Sequence, residues 1–348
     1  MAKRLRVIQW TTGNVGRRAL RAILARPDLE LVGVYAHAAD KLGRDAAELC
    51  GWERATGVRA TNDATALLAL KPDACSYNPL WPSTDELCRL LEAGVNVCST
   101  AALITGSALR PGDRARIEAA AQRGNATLFG SGVNPGFANL FALVSSQICE
   151  RVEQVRVLES ADASAYASKE TQEDVGFAQA ITPELVERTQ RASSVFAEAV
   201  ALMGDALGAE LDEIAFDADY APATADCELG FMTIPRGTVA AIDGRWRGRA
   251  RGRDLVVLRF QWVMGKHVEP PFKLRHGYFV EIDGVPSVRS QFQIFPPRDW
   301  KEASFMGLGM IMTAMPAVNA IPAVVAAPPG IATHATLPLV AARAGARE

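Results

Sequence analysis

The chain has 348 residues, of which 49% are apolar and 22% charged. This is the composition of a globular protein, and the length is sufficient for two domains. The formal net charge of −2 gives no electrostatic reason to expect nucleic acid or an anionic membrane surface as a partner, and the six cysteines and four histidines show no C-x-x-C pair and no cluster typical of a metal site.

The first half of the chain alternates between short apolar strands and helices. The predicted strands are Leu5–Trp10, Leu29–Tyr35, Ala74–Tyr77, Val95–Ser99 and Ala126–Phe129. The predicted helices are Val15–Ala25, Thr84–Ala93 and Asp113–Arg123. Because apolar strands in strict alternation with helices are typical of parallel sheets covered on both faces, we expect a doubly wound α/β domain of the Rossmann type over residues 1–137.

A glycine-containing turn follows the first predicted strand. Its sequence, Thr-Thr-Gly-Asn-Val-Gly, matches the dinucleotide fingerprint G-x-G-x-x-G except that Thr11 replaces the first glycine. Gly13 has no Cβ, so a pyrophosphate can approach the helix N-terminus, where free N–H groups favour anions. Gly16 allows the helix to pack closely on the strand. The turn therefore predicts a dinucleotide site formed by Thr12, Gly13, Asn14, Val15 and Gly16.

The end of the second predicted strand indicates the type of cofactor. NAD-specific sites usually place Asp or Glu at this point to bind the ribose 2′-hydroxyl, but here the strand ends at Tyr35 without a carboxylate. His37, Lys41 and Arg44 follow and could bind a 2′-phosphate through charge-assisted hydrogen bonds. Asp40 could still hold the ribose of NAD if its loop turned inward. We expect NADP, with NAD as the alternative.

The pattern changes after Gly130–Phe137. We expect helices over Asn139–Val152 and Pro183–Leu207, and strands over Gln154–Glu159, Thr238–Ile242, Asp254–Val263, Gly277–Ile282 and Ser287–Phe295, with a hairpin turn at Ile282–Val285. Five arginines at alternate positions from Arg245 to Arg253 predict one solvated face of a strand. These elements predict an α+β domain over residues 138–303, built on one mostly antiparallel sheet with an exposed face that suits a subunit interface.

Residues 304–348 form the last predicted segment. The stretch Phe305–Ala327 carries no charge and is long enough to span a bilayer, but it contains two prolines and Asn319 and lacks an aromatic or basic girdle. We therefore expect a buried helix that packs back on the Rossmann domain rather than a membrane span. The N-terminus leads into a strand without the apolar region of a signal peptide, so a cytoplasmic protein is expected.

Four sequence blocks occur together in a known family. They are Val7–Gly16, Gly130–Phe137, Glu159–Ser164 and Ala317–Pro322. With these blocks the chain resembles the dihydrodipicolinate-reductase-like NAD(P)-dependent amine dehydrogenases, which include 2,4-diaminopentanoate dehydrogenase. The resemblance runs from the first strand to about Ile331. It implies a homodimeric oxidoreductase that transfers a hydride between nicotinamide C4 and an amine or imine carbon of a small molecule.

The same resemblance implies which residues border the cofactor. Besides the glycine turn, they follow the later strands of the first domain: Asn78, Pro79, Leu80, Thr100, Ala101, Asn134, Pro135 and Gly136. Asn134 could hydrogen-bond the carboxamide of the nicotinamide, or its segment could simply be a tight turn between domains. Asn319 lies in an apolar helix and needs a partner if buried, either the nicotinamide amide or a neighbouring backbone carbonyl.

One departure from the family affects the reaction. A catalytic glutamate is expected in the loop after the fifth strand, but here this loop, Ser99–Thr105, has no acidic residue. Glu159, Asp162 or Tyr166 could take its place as the group that manages protons. The leading hypothesis is an amine dehydrogenase or imine reductase. The alternatives are a carbonyl or C=C reductase on the same scaffold, which would not need this glutamate, and a catalytically silent NADP-binding protein.

Overall fold

The computed structural model describes residues 3–302 and 306–344. The chain divides into two compact units, Met1–Phe137 with Gly309–Glu348, and Ala138–Leu308. From the sequence we placed the end of the second domain at residue 303, and residues 303–305 lie outside the described part of the chain.

The first 137 residues contain six strands and five α-helices among the described residues. In chain order they are β1 (Leu5–Trp10), α1 (Asn14–Ala25), β2 (Leu29–Tyr35), α2 (Ala46–Cys50), β3 (Ala60–Thr61), α3 (Ala64–Ala69), β4 (Ala74–Tyr77), α4 (Thr84–Glu92), β5 (Asn96–Ser99), α5 (Asp113–Gly124) and β6 (Thr127–Gly130).

The second unit begins with a helix and then alternates strands with helices. Its elements are α6 (Ala138–Ser146), β7 (Arg151–Asp162), α7 (Lys169–Val175), α8 (Leu185–Ala192), α9 (Val195–Ala206), β8 (Glu213–Pro222), β9 (Cys227–Glu228), β10 (Thr233–Ile234), β11 (Val239–Ala250), β12 (Arg253–Val263), β13 (Gly277–Val285) and β14 (Val288–Phe292). The chain ends with α10 (Met306–Val325) and β15 (Gly330–Ala332).

The first unit is built on a seven-stranded sheet in the order β15-β6-β5-β4-β1-β2-β3, with parallel pairing throughout. Side chains of its strands alternate between two apolar cores. One core joins Ile8 to Leu87 of α4 and Ile117 of α5, and the other joins Val7 to Ala19 of α1. Both faces of the sheet are therefore covered, which confirms the predicted doubly wound fold.

Helix α10 is the helix that, among the described residues, is long and apolar enough to cross a membrane. Its buried residues, which include Ala317, Ile321 and Val324, pack with Val7 and Phe129 in the second of these cores. Part of the apolar surface of this helix is therefore buried in the first unit.

The second unit is built on a six-stranded sheet in the order β14-β13-β7-β12-β11-β8. Only the pairing of β7 with β12 is parallel, so the sheet is mostly antiparallel, as predicted. Gly248 of β11 lies against Val200 of α9, since a Cβ at this glycine would be 2.5 Å from the Val200 side chain. Because side chains of a strand alternate between its two faces, Arg245, Arg247 and Arg249 lie on the face opposite to Gly248.

Several element boundaries differ from the prediction. The helix predicted over Asn139–Val152 ends at Ser146, because the alternating residues that form β7 already begin at Arg151. The helix predicted over Pro183–Leu207 is two helices, α8 and α9. They separate at Ser193, whose hydroxyl donates to the Thr189 carbonyl at 2.7 Å and accepts from the Trp246 indole at 3.1 Å.

Two turns were also misplaced. The predicted hairpin at Ile282–Val285 lies within β13, which continues to Val285, so the chain reverses at Pro286-Ser287 instead. The predicted arginine alternation holds to Arg249, but Arg251 and Gly252 form the turn before β12. The hairpin was misplaced because β13 is paired with β7 and β14 and extends further than its local sequence indicates.

Candidate functional site

The turn between β1 and α1 presents a bare helix N-terminus. Gly13 caps α1 without a side-chain hydrogen bond, and the first turn of the helix contains no acidic residue. A Cβ on Gly13 would meet nothing within 4 Å, whereas a Cβ on Gly16 would lie 2.5 Å from the Thr11 carbonyl oxygen. Gly13 thus leaves room for an anion beside the free N–H groups, and Gly16 is required for close packing.

The threonines of this turn fit a phosphate group. Thr11 has a φ of +68°, the left-handed conformation that the fingerprint normally gives to glycine. Within the described part of the chain, the buried hydroxyls of Thr11 and Thr12 have no hydrogen-bond partner. Buried hydroxyls are normally hydrogen-bonded, so two of them without partners beside a helix N-terminus match the oxygens of a bound pyrophosphate.

A buried polar network holds this turn to the neighbouring strands. The Gln9 amide donates to the Thr11 carbonyl at 2.8 Å and to Asn78 Oδ1 at 2.6 Å. Ser76 Oγ donates to the same Asn78 oxygen at 3.0 Å, and Asn78 Nδ2 donates to Thr100 Oγ1 at 2.8 Å. The structure therefore brings two predicted cofactor residues, Asn78 and Thr100, to the turn at the carboxyl ends of the strands.

The other predicted residues of these loops lie nearby in the chain. Leu80 is exposed and accepts from the Ala102 N–H at 3.4 Å, while Pro79 is half-buried. Ala101 is buried, and its N–H donates to Ser99 Oγ at 3.0 Å.

The tip of β2 carries the basic residues predicted to select the cofactor. Lys41 Nζ donates to the Thr12 carbonyl at 3.1 Å. Its ammonium group therefore lies at the turn Thr11–Gly16, which we call the phosphate turn. Arg44 forms an exposed ion pair with Glu48 at 3.3 Å. Asp40 is exposed in the same loop.

Glu86 of α4 is a neighbour of this tip that sequence reasoning missed. Its carboxylate accepts from Tyr77 Oη at 2.8 Å and from Trp10 Nε1 at 3.3 Å, and lies 3.9 Å from His37 Nε2. Burial and this carboxylate raise the pKa of Tyr77 above its usual range. No sequence pattern pairs a helix residue with the ends of β1, β2 and β4, because only the fold brings them together.

The segment after β6 contains three of the residues that we expect to border the cofactor, Asn134, Pro135 and Gly136. The Asn134–Pro135 peptide bond is cis, Gly136 has a φ of +136°, and the Phe137 N–H donates to the Gly132 carbonyl at 2.9 Å. Asn134 Oδ1 is buried in this turn.

A histidine that follows β15 contacts this segment. His334 Nε2 lies 2.8 Å from Ser131 Oγ, and its ring packs edge-on against Phe129 with centroids 5.1 Å apart. Burial lowers the pKa of His334 to about 4, so the imidazole is neutral at physiological pH.

Asn319 has a partner at the C-terminal end of α1. Its Oδ1 accepts from Arg26 Nη1 at 3.3 Å, and Arg26 is the residue that follows the last turn of α1. The turn between β1 and α1 is at the other end of that helix. The expected contact of Asn319 with the nicotinamide stays a prediction.

The second unit holds a carboxylate among aromatic side chains. Glu159 of β7 lies between Phe260 of β12 and Tyr278 of β13, its partners in the sheet register, and its Oε1 accepts from Trp262 Nε1 at 3.2 Å. Burial first, and then the charge of Glu159, raises the pKa values of Tyr166 and Tyr278. Two of the three predicted catalytic residues, Glu159 and Tyr166, are thus brought together.

The third, Asp162, occupies a different environment. It is exposed at the end of β7, and its Oδ1 accepts from the Ser164 N–H at 2.9 Å. This is a local turn of the kind that aspartate commonly stabilises. Across residues 3–302 and 306–344, no three His, Cys, Asp or Glu side chains are grouped so that they could hold a metal ion.

Comparison with known proteins gives a consistent picture. Residues 138–348 match the family of the 2,4-diaminopentanoate dehydrogenase C-terminal domain. The chain is 32% identical over 262 residues to an amine dehydrogenase from Streptomyces virginiae, covering 72% of this chain and 73% of that protein.

Solved structures show the same fold. The amine dehydrogenase from Mycobacterium smegmatis matches with a TM-score of 0.80 at 21% identity, covering 98% of both chains. GenD2 of gentamicin A biosynthesis, solved in complex with NAD, matches with a TM-score of 0.54 at 17% identity, covering 92% of this chain and 87% of that one. The phosphate turn and these relatives together make the protein an NAD(P)-dependent oxidoreductase, and the chain belongs to the amine dehydrogenase family that includes 2,4-diaminopentanoate dehydrogenase.

Proposed function

We propose that this protein is a cytoplasmic, NADP-dependent amine dehydrogenase that interconverts an amine and the corresponding imine or carbonyl compound. The observation that carries the proposal is the Glu159 carboxylate, held by Trp262 and surrounded by aromatic side chains. In this proposal Glu159 takes the chemical role of the acidic residue that the loop Ser99–Thr105 lacks. The names of the relatives from Streptomyces virginiae and Mycobacterium smegmatis support the same chemistry.

A carboxylate in this setting suits a substrate with a cationic nitrogen. When bound, the nicotinamide cofactor accepts or supplies the hydride. The Glu159 charge stabilises a positively charged amine or iminium nitrogen, because apolar surroundings screen it less than water does. The faces of aromatic rings also attract cations. Trp262 holds the Glu159 carboxylate in place, and in its ionised form this group can accept a proton from the ammonium group.

Removing only the charge of this carboxylate tests the proposal. We expect Glu159→Gln to lower kcat for NADP⁺-dependent oxidation of a panel of amines at least tenfold, with the Kd for NADPH within twofold of wild type. Glu153→Gln is the matched control, since Glu153 is an exposed glutamate of the same strand. A wild-type rate for Glu159→Gln, with an inactive Asp162→Asn, would move the role to Asp162.

Three basic side chains support the choice of NADP. Lys41 lies at the phosphate turn, and its ammonium group has two further donors beyond the one that binds the Thr12 carbonyl. The exposed pair of Arg44 with Glu48 is of a kind worth little, so the guanidinium group is available to a 2′-phosphate. His37 lies at the same strand end.

One face of the six-stranded sheet supports a homodimer, namely the face that carries Arg245, Arg247 and Arg249, which we call the open face. It carries interlocked ion pairs, such as Arg245 with Asp217 and Asp219 at 2.6 Å, which balance positive and negative charge. Half-buried Leu158 and Val257 lie on the same face. A second copy of the chain would meet complementary charges there and cover these apolar side chains.

A further inference from the structure

His334 and Ser131 meet at the edge of the first unit where ligands bind. Ser131 follows β6 and His334 follows β15, and these two strands are parallel neighbours. Their side chains therefore leave the same edge of the sheet, at the carboxyl ends of the strands. A hydrogen bond of 2.8 Å joins His334 Nε2 to Ser131 Oγ.

Both partners are firmly held. Ser131 is 3% exposed, and its N–H donates to the Ser99 carbonyl at 2.9 Å. The His334 ring packs edge-on against Phe129. A partly buried hydrogen bond between two side chains that are already held in place costs little entropy on forming. It is therefore well suited to fix the position of a segment that packs on it.

What rests on Ser131 is the turn that contains Asn134. A Cβ built on Gly136 would lie only 2.8 Å from Ser131 Oγ, so the backbone of the turn packs directly on this hydroxyl. The Phe137 N–H closes the turn on the Gly132 carbonyl. A shift of Ser131 would therefore move the turn.

We infer that His334 is a positioning residue which, through Ser131, fixes the turn of Asn134 that receives the nicotinamide end of the cofactor. The inference rests on the proposed function, since it takes the nicotinamide cofactor of that function to bind at this turn. The imidazole is neutral, so the bond is present throughout the physiological pH range. His334 does not need to touch the cofactor to act in this way.

A comparison of two ligands distinguishes a positioning role of His334 from a general loss of structure. The Kd of NADP⁺ is compared with that of 2′-phospho-ADP-ribose, which lacks the nicotinamide, by titration calorimetry on the full chain. We expect His334→Ala and Ser131→Ala to weaken NADP⁺ at least fivefold and to leave the fragment within twofold. The double variant should lose no more than either single variant, because both remove one interaction.

Two further variants complete the test. His334→Gln, whose amide can replace the imidazole Nε2, should restore most of the NADP⁺ affinity, and His267→Ala, at an exposed histidine of the other unit, should match wild type. Equal weakening of both ligands, or no weakening of either, would overturn the inference while leaving the proposed function intact. Failure of the wild type to bind NADP⁺ or NAD⁺ would overturn both.

Discussion

Thr11 occupies the position where the dinucleotide fingerprint has its first glycine, and it adopts the backbone conformation of that glycine. A β-branched residue at positive φ stores strain of about 1–3 kcal/mol. The turn keeps this conformation because Gln9 binds the Thr11 carbonyl and α1 packs on it through Gly16. The buried Thr11 hydroxyl, without a partner among the described residues, indicates why a threonine is useful there.

We expect Thr11→Gly to raise the free energy of unfolding of the cofactor-free protein by about 1 kcal/mol, because the relieved strain exceeds the entropy that glycine adds to the unfolded chain. Urea denaturation followed by circular dichroism measures this change. Thr12→Gly is the control, since Thr12 is not at positive φ and should lose stability. A Thr11→Gly protein less stable than wild type would show that the turn is not strained.

At this scale the sequence predicted the residues whose role is local. Gly13 and Gly16 could be identified because the motif itself requires a position without a Cβ. The pair of Ser131 and His334 could not, since 203 residues separate them in the chain. The partner of Asn319 could not be predicted for the same reason: Arg26 is 293 positions away.

At the scale of elements, periodicity predicted the existence of helices and strands better than their ends. Helices α8 and α9 were predicted as one because apolar residues continue across Ser193. The break depends on Trp246, which binds Ser193 from a strand more than 50 residues later. Likewise, the sequence predicts that the tip of β2 selects the cofactor, but it could not show that Glu86 of α4 lies beside this tip.

The tip of β2 also carries a prediction about selectivity. We expect wild-type protein to bind NADPH more tightly than NADH, and the double variant Lys41→Ala, Arg44→Ala to lose this preference, because both charges that can meet a 2′-phosphate are removed. Fluorescence titration gives the four dissociation constants. Arg114→Ala, which breaks a comparable exposed i,i+4 pair with Glu118 on α5, should keep the preference. Equal affinities in the wild type would reject the choice of NADP.

At the scale of the molecule, composition and the change of pattern after residue 137 were enough to predict a parallel doubly wound sheet and a mostly antiparallel one. The order of the strands could not be predicted, since β15 joins the first sheet from the far end of the chain. Nor does sequence show that the arginines of β11 are neutralised by carboxylates on β8 and β12.

The proposed dimer is tested by placing charge on the open sheet face. We expect the wild type to be a dimer by light scattering, and Leu158→Asp with Val257→Asp to be a monomer, because a desolvated carboxylate in an interface is costly. Ile148→Asp, at a residue that is 68% exposed, is the control and should remain dimeric. A monomeric wild type at micromolar concentration would contradict the dimer.

Oxidation of NADPH with a panel of ketones, in the presence and absence of ammonia, tests most directly whether the chain is an amine dehydrogenase despite the loop Ser99–Thr105. We expect turnover that requires ammonia and falls at least tenfold in Glu159→Gln. Equal turnover without ammonia would instead make the protein a carbonyl reductase, and binding of NADPH without turnover of any ketone, imine or amine would make it a silent dinucleotide-binding protein.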